Sequence, residues 1–237
     1  MKKLLLTTAA AAMLVTSSAY AAEGDFYVKA NSGWTKLNNI TSNDVTANNN
    51  TAKLKSQNSG YVGVGAGYHI MDNVRVDLTY DHFFNPDYKM SQDYLIHGQN
   101  IATNFKIKGK IDTLLLNAFV DVYDIDAFKI FVGAGVGGSN IKAKMKVEVK
   151  NTDADRKVDL HYKAKAKKTV AYAVYLGASY EFAPCVTGEL TYSYRDMGKT
   201  KNMHETHLPE GQESKVIDNS SIHYKGHNIG AGIRFAL

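Results

Sequence analysis

Residues 61–70 read YVGVGAGYHI, with glycine at 63, 65 and 67 and Val62, Val64, Ala66, Tyr68 and Ile70 between and after them. Glycine weakens an ordinary strand, because it packs no side chain and loses the most backbone entropy on ordering. Confining it to every second position puts it on one face of an extended chain. The pattern returns as FVGAGVGG at 131–138. One face of these strands is therefore bulky and apolar, and the other is nearly bare.

The same period of two runs through the rest of the chain, and it is the strand signature. Eight strands can be placed. They are DFYVKANSGWT (25–35), the opening stretch, VRVDLTYDHF (74–83), a segment around 106–122, FKIFVGAGVGG (128–138), VAYAVYLGASYEF (170–182), TGELTYSYRD (187–196) and HNIGAGIRFAL (227–237). Pairs two–three, four–five and six–seven are joined by a few residues each. The other connections, about 37–58, 84–105, 139–168 and 197–221, are long. Alternating tight turns with long loops is the layout of an outer-membrane barrel with periplasmic turns and extracellular loops. Hairpin order suits an up-and-down closed sheet, which leaves no free edge.

The two faces differ in polarity as well as bulk. Lys29, Arg75, Asp77, Asp121, Glu181, Glu189, Arg195 and Arg234 all fall on the small face. An eight-stranded barrel has an interior only wide enough to be filled by side chains. Glycines there make room for long charged residues, which are expected to pair across the lumen, so the bulky apolar face points to lipid. A soluble barrel with an apolar cavity would need the reverse arrangement. Phe26 and Trp34 stand eight residues apart, as do Tyr172 and Tyr180. At about 3.3 Å per residue that is roughly 26 Å of strand. Tilt shortens this to about 20 Å, comparable to the apolar band between aromatic girdles.

The ends and composition agree. MKKLLLTTAAAAMLVTSSAYAA has a basic start, an apolar run and an Ala19-Tyr20-Ala21 site, which reads as a signal peptide over 1–21, with cleavage near Ala21 or Ala22. Residues 22–237 then form the barrel. Cys185 is the only cysteine, so no internal disulfide can form. Loss of Lys2 and Lys3 lowers the formal charge from +5 to +3, which does not point to nucleic acid. The fold expected is all-β: an eight-stranded antiparallel up-and-down transmembrane β-barrel in the bacterial outer membrane.

The segments EGDFYVKANSGWTKLNNI, GYVGVGAGYHIMDNVRVDLTYDHF, LLLNAFVDVYDIDAFKIFVGAGVGGSNIK and HNIGAGIRF resemble the rickettsial surface-antigen barrels, including the Adr-type adhesins. These stand within the wider eight-stranded family that includes OmpX and Opa proteins. The resemblance covers the whole mature chain, specifically in the strands and weakly in the loops. It implies an outer-membrane location and, for Adr-type members, host attachment through vitronectin. Such barrels usually end on an aromatic residue, whereas this chain ends on Leu237, with Phe235 two positions earlier.

A filled barrel leaves function to its loops. In the third, NIKAKMKVEVK places Lys142, Lys144, Lys146, Glu148 and Lys150 on one face. VDLHYKAKAKK alternates Lys163, Lys165 and Lys167 with Tyr162, Ala164 and Ala166, and Lys168 follows. The expectation is a two-stranded ribbon beyond the membrane. Residues 139–168 carry a local net charge of +6, more than the mature chain as a whole. These eight lysines are the candidate ligand-binding residues. Their ligand would be an acidic segment of a host protein such as vitronectin, a sulfated glycan, or lipopolysaccharide phosphates. Exposed lysines also serve solubility, contact anionic headgroups or block edge pairing. A structural barrel with no specific ligand therefore stands beside the adhesin reading.

An enzyme is not expected. Asp81-His82, Asp159 near His161, and the His204, Glu205 and His207 of HETH are the available groups, and no G-x-S-x-G or H-E-x-x-H motif occurs. HETH has histidines at i and i+3, which could bind metal on a helix, but it stands in a polar, glycine-containing loop where surface histidines are expected. No cofactor or metal is indicated. The expected partners are outer-membrane lipid, lipopolysaccharide and a host extracellular protein, with the barrel itself a monomer.

Overall fold

The computed structural model describes residues 25–237 except 39, 43–51, 57, 85, 97–98, 152–155, 201–202, 206–215 and 218–221. The expected signal peptide lies outside the described residues. Thirteen strands are described: β1 Phe26–Leu37, β2 Ile40–Ser42, β3 Ala52–Ser56, β4 Asn58–Met71, β5 Val74–Phe84, β6 Tyr88–Ile96, β7 Gln99–Ile125, β8 Phe128–Asn151, β9 Arg156–Ala183, β10 Val186–Lys199, β11 Met203–Glu205, β12 Val216–Ile217 and β13 His223–Ala236.

Eight of them close into a barrel in the order β1-β4-β5-β7-β8-β9-β10-β13, every pair antiparallel. The first and last join through Lys29↔Arg234, Asn31↔Gly232 and Trp34↔Ile229. Closure gives each backbone amide in the sheet a partner, which hydrocarbon requires. Turns of two residues link β4 to β5, β7 to β8 and β9 to β10, all at one end, the periplasmic one by the rule of short turns.

The faces are inverted relative to a soluble barrel. Along β5, Arg75, Asp77, Thr79, Asp81 and Phe83 are buried, while Leu78 and Tyr80 are exposed. Trp34 is 74 % exposed, Val170 67 % and Leu190 61 %, values that only a lipid solvent makes comfortable. The apolar outer band runs from Leu114 to Val122 on β7 and from Leu190 to Tyr194 on β10.

The contents of the lumen account for the alternating glycines. A Cβ on Gly63 would strike the Asp81 carboxylate and the Asn31 side chain, and one on Gly135 would strike the Asn117 amide. At Gly67 it would meet the Tyr27 ring, and at Gly133 the Phe119 ring. The bare positions thus admit aromatic rings as well as charges. The filling is less purely ionic than the sequence suggested: Phe119, Phe131 and Tyr175 form one buried cluster with Leu115. Tyr61, Phe83, Ile107, Ile111, Ile141 and Tyr224 belong to a second cluster at the extracellular end. A cavity of about 30 Å³ between them has room for about one water.

The long connections are corrected by the structure. β7, β8 and β9 have 27, 24 and 28 residues, against 11–14 for the other barrel strands. The segment 84–105 is no open loop: β6 folds back on β7 from Tyr88↔Ile107 to Ile96↔Gln99. β3 adds to β6, and β11 to β9. The expected two-stranded ribbon is one part of a wider extracellular sheet. Its inward side is buried at Ile107, Ile111, Ile141, Ala143 and Val147.

Candidate recognition surface

Two sets of charges are built by the same strands and are treated in opposite ways. Among the described residues, every luminal cation meets a carboxylate. Lys29 Nζ lies 2.5 Å from Asp77 Oδ2, and Asp77 also accepts from Asn117 at 2.7 Å and Thr79 at 2.8 Å. Arg75 bridges Asp121 at 2.7 Å and Glu189 at 3.3 Å, and Arg234 reaches the same Glu189 oxygen at 3.0 Å. Arg195 meets Asp81 at 2.6 Å. Arg75 also lies over the Phe131 ring, 4.5 Å from its centroid. Buried charge is tolerable only when paired and hydrogen-bonded in this way.

Of the lumen residues expected from sequence, Glu181 stands half-buried at the periplasmic end and joins none of these pairs. Asp81 takes a place in the network that sequence reasoning did not give it. Its position four residues from Asp77, on the same face, was the available signal. Asp81 and His82 point to opposite sides: His82 faces outward and lies 2.6 Å from Asp112, which also accepts from Tyr80 at 2.8 Å. A second outward cluster joins Tyr172 and His223 to Asp196 at 2.8 Å and 2.7 Å. The HETH segment begins as a strand, with His204 opposite Lys163, which removes helical spacing at 203–205; His207 lies outside the described residues.

Outside, cation faces cation. In the register of the extracellular sheet Lys106 lies opposite Lys146, Lys108 opposite Lys144 and Lys110 opposite Lys142. The first row continues as Lys55↔Lys89↔Lys106↔Lys146↔His161, and the second as Lys108↔Lys144↔Lys163↔His204. Lys89, Lys108, Lys110, Lys142, Lys144 and Lys168 are exposed on the outward side, and Lys146 reaches Glu148 at 2.5 Å. Like charges directly opposite on neighbouring strands destabilise a sheet, on the scale of 0.2–1 kcal/mol at roughly each pair.

Of the eight candidate lysines, Lys142, Lys144, Lys146 and Lys168 have described side chains. Lys150, Lys163 and Lys167 are placed by backbone register alone, with Lys150 opposite Lys157, and Lys165 falls where the register shifts. A bulge interrupts the alternation expected over Lys163, Lys165 and Lys167: Lys163 pairs with Lys144, but Lys167 pairs with the buried Ile141. The sequence reading missed Lys55, Lys89, Lys106, Lys108 and Lys110. NFKIKGKID at 104–112 carries the last three at period two, but only pairing with β8 aligns them with the third-loop lysines.

Residues 7–235 match the family described as the outer membrane protein beta-barrel domain, and the chain belongs to that family. It is therefore a protein of the bacterial outer membrane. A Rickettsia conorii protein named as a candidate adhesin is 38% identical over 228 residues, covering 94% of this chain and 86% of that one. A Rickettsia typhi protein with the same kind of name is 33% identical over 242 residues and covers 100% of both. Among solved structures, the outer membrane protein OprG from Pseudomonas aeruginosa matches 90% of this chain and 97% of its own at 15% identity, with a TM-score of 0.51. That likeness speaks to the fold alone.

Proposed function

We propose that this protein is an outer-membrane adhesin whose cationic extracellular sheet captures an acidic host ligand. The observation that carries the reading is the stacking of lysine opposite lysine on β7, β8 and β9. Among the described residues each luminal cation is set against a carboxylate, whereas here lysine is set opposite lysine, and an anionic partner would relieve that repulsion. The two rickettsial relatives named as candidate adhesins support the same role. Vitronectin, implied by the resemblance to Adr-type barrels, is the first ligand to test. The ligand-binding set is Lys144, Lys146, Lys150, Lys163 and Lys165, together with Lys106 and Lys108 opposite them. The barrel closes within one chain and acts as a monomer without catalysis.

The test replaces Lys106, Lys108, Lys144 and Lys146 by glutamine and measures capture of serum proteins by intact cells. Heat-modifiable gel migration checks that the barrel still assembles. Capture should fall about tenfold or more, and wild-type capture should weaken as salt is raised. Unchanged capture by an assembled variant would leave a barrel with a structural role only.

A further inference from the structure

We infer that an outward trough at the extracellular rim, between β7, β8 and β9, holds the phosphorylated headgroup of an outer-leaflet lipid. The trough, about 470 Å³, is lined by Tyr80, Asp112, Leu114, Gly138, Asn140 and Lys168 among others. It sits where the apolar outer band gives way to polar residues. On β7 Leu116 and Leu114 precede Asp112 and Lys110, and on β8 Val136 and Gly138 precede Asn140 and Lys142. On β9 Lys168 precedes Val170.

Gly138 is the telling residue. The glycines at 133, 135 and 137 look inward; the Phe119 and Asn117 side chains crowd the first two, and the Leu114 backbone crowds the third. Gly138 is out of phase. It looks outward, and a Cβ there would meet nothing nearer than the Thr169 carbonyl oxygen at 3.8 Å. Its missing side chain deepens the trough beside the exposed Leu114 and Val170. Lumen packing has no use for this glycine, whereas an acyl chain lying along the wall does.

The upper lip is cationic. Lys168 lies in register with Asn140, and Lys110 and Lys142 pair one outward position above Asp112 and Asn140. The one carboxylate in the trough, Asp112, already accepts from Tyr80 and lies against His82, so three lysines face a single engaged acid. Cations above and greasy wall below match a lipid phosphate with its chains directed into the bilayer. Free phosphate would leave Leu114 and the Gly138 hollow uncovered. This assignment takes Lys110, Lys142 and Lys168 for lipid and leaves the rows above them for the host ligand.

The experiment refolds the full chain in zwitterionic vesicles containing bisphosphorylated lipid A, exchanges it into detergent, and counts retained lipid by native mass spectrometry. Two variants are compared: Lys110→Gln/Lys142→Gln/Lys168→Gln, and Gly138→Leu, which fills the hollow on the lipid side and leaves every lysine in place. Retention of one lipid A by the wild type, a drop of about tenfold in each variant, and weak retention of dephosphorylated lipid A are expected. Wild-type retention by either assembled variant, or displacement of the lipid by millimolar inorganic phosphate, would overturn the assignment. The quadruple glutamine variant of the upper rows should keep its lipid, so failure here is distinguishable from failure of the adhesin reading.

Discussion

The lumen and the extracellular sheet are made by the same strands and draw on the same alternation, yet they use charge for opposite ends. Inside, Lys29, Arg75, Arg195 and Arg234 meet Asp77, Asp81, Asp121 and Glu189, four cations against four carboxylates. Outside, Lys106, Lys108 and Lys110 are set opposite Lys146, Lys144 and Lys142. The inner set is satisfied within the chain and holds the barrel. The outer set places like charge against like across neighbouring strands, with Lys146 also reaching Glu148.

The comparison breaks most readily from the inside. Arg195→Met leaves the buried Asp81 carboxylate without its cation, and about 3–5 kcal/mol of stability should be lost. A urea titration in bilayers measures it, and adding Asp81→Asn should recover much of the loss if the pair is the cause. Next is a cation put on the outward side below the rim. Leu116→Lys should cost about 2–4 kcal/mol in the same titration, because Leu116 faces hydrocarbon while Lys110, six residues nearer the exterior, does not. Smaller is Gly63→Val, which crowds Asp81 and Asn31 and should cost about 1–3 kcal/mol. A neutral response there would mean the glycine face is not packed as described.

Much of this was legible in the sequence, for a physical reason. A face that must be greasy toward lipid and a face that must be thin toward a crowded axis both leave marks at period two, and Gly63, Gly65 and Gly67 record the crowding directly. Two kinds of fact left no such mark. Register between distant strands is one: nothing local aligns Lys108 with Lys144. The length of β6 and β7 is the other. YKMSQDYLI alternates only loosely, and it becomes strand because β7 is already there to pair with it. Asp81 is readable by parity, because adjacent strand residues face apart and His82 therefore looks the other way. The aromatic filling was open to the same parity, since Tyr27 shares a face with Lys29, Phe119 with Asn117 and Phe131 with Gly133; what parity does not give is that the rings pack on one another across the lumen.

The most direct test measures unfolding midpoint and ligand capture on one preparation of Lys144→Glu. Lys144 lies between Lys108 and Lys163, so a carboxylate there turns repulsion into attraction on both sides. Stability should rise by about 0.2–1 kcal/mol while ligand capture is lost. Stability and capture falling together, or neither changing, would contradict that expectation.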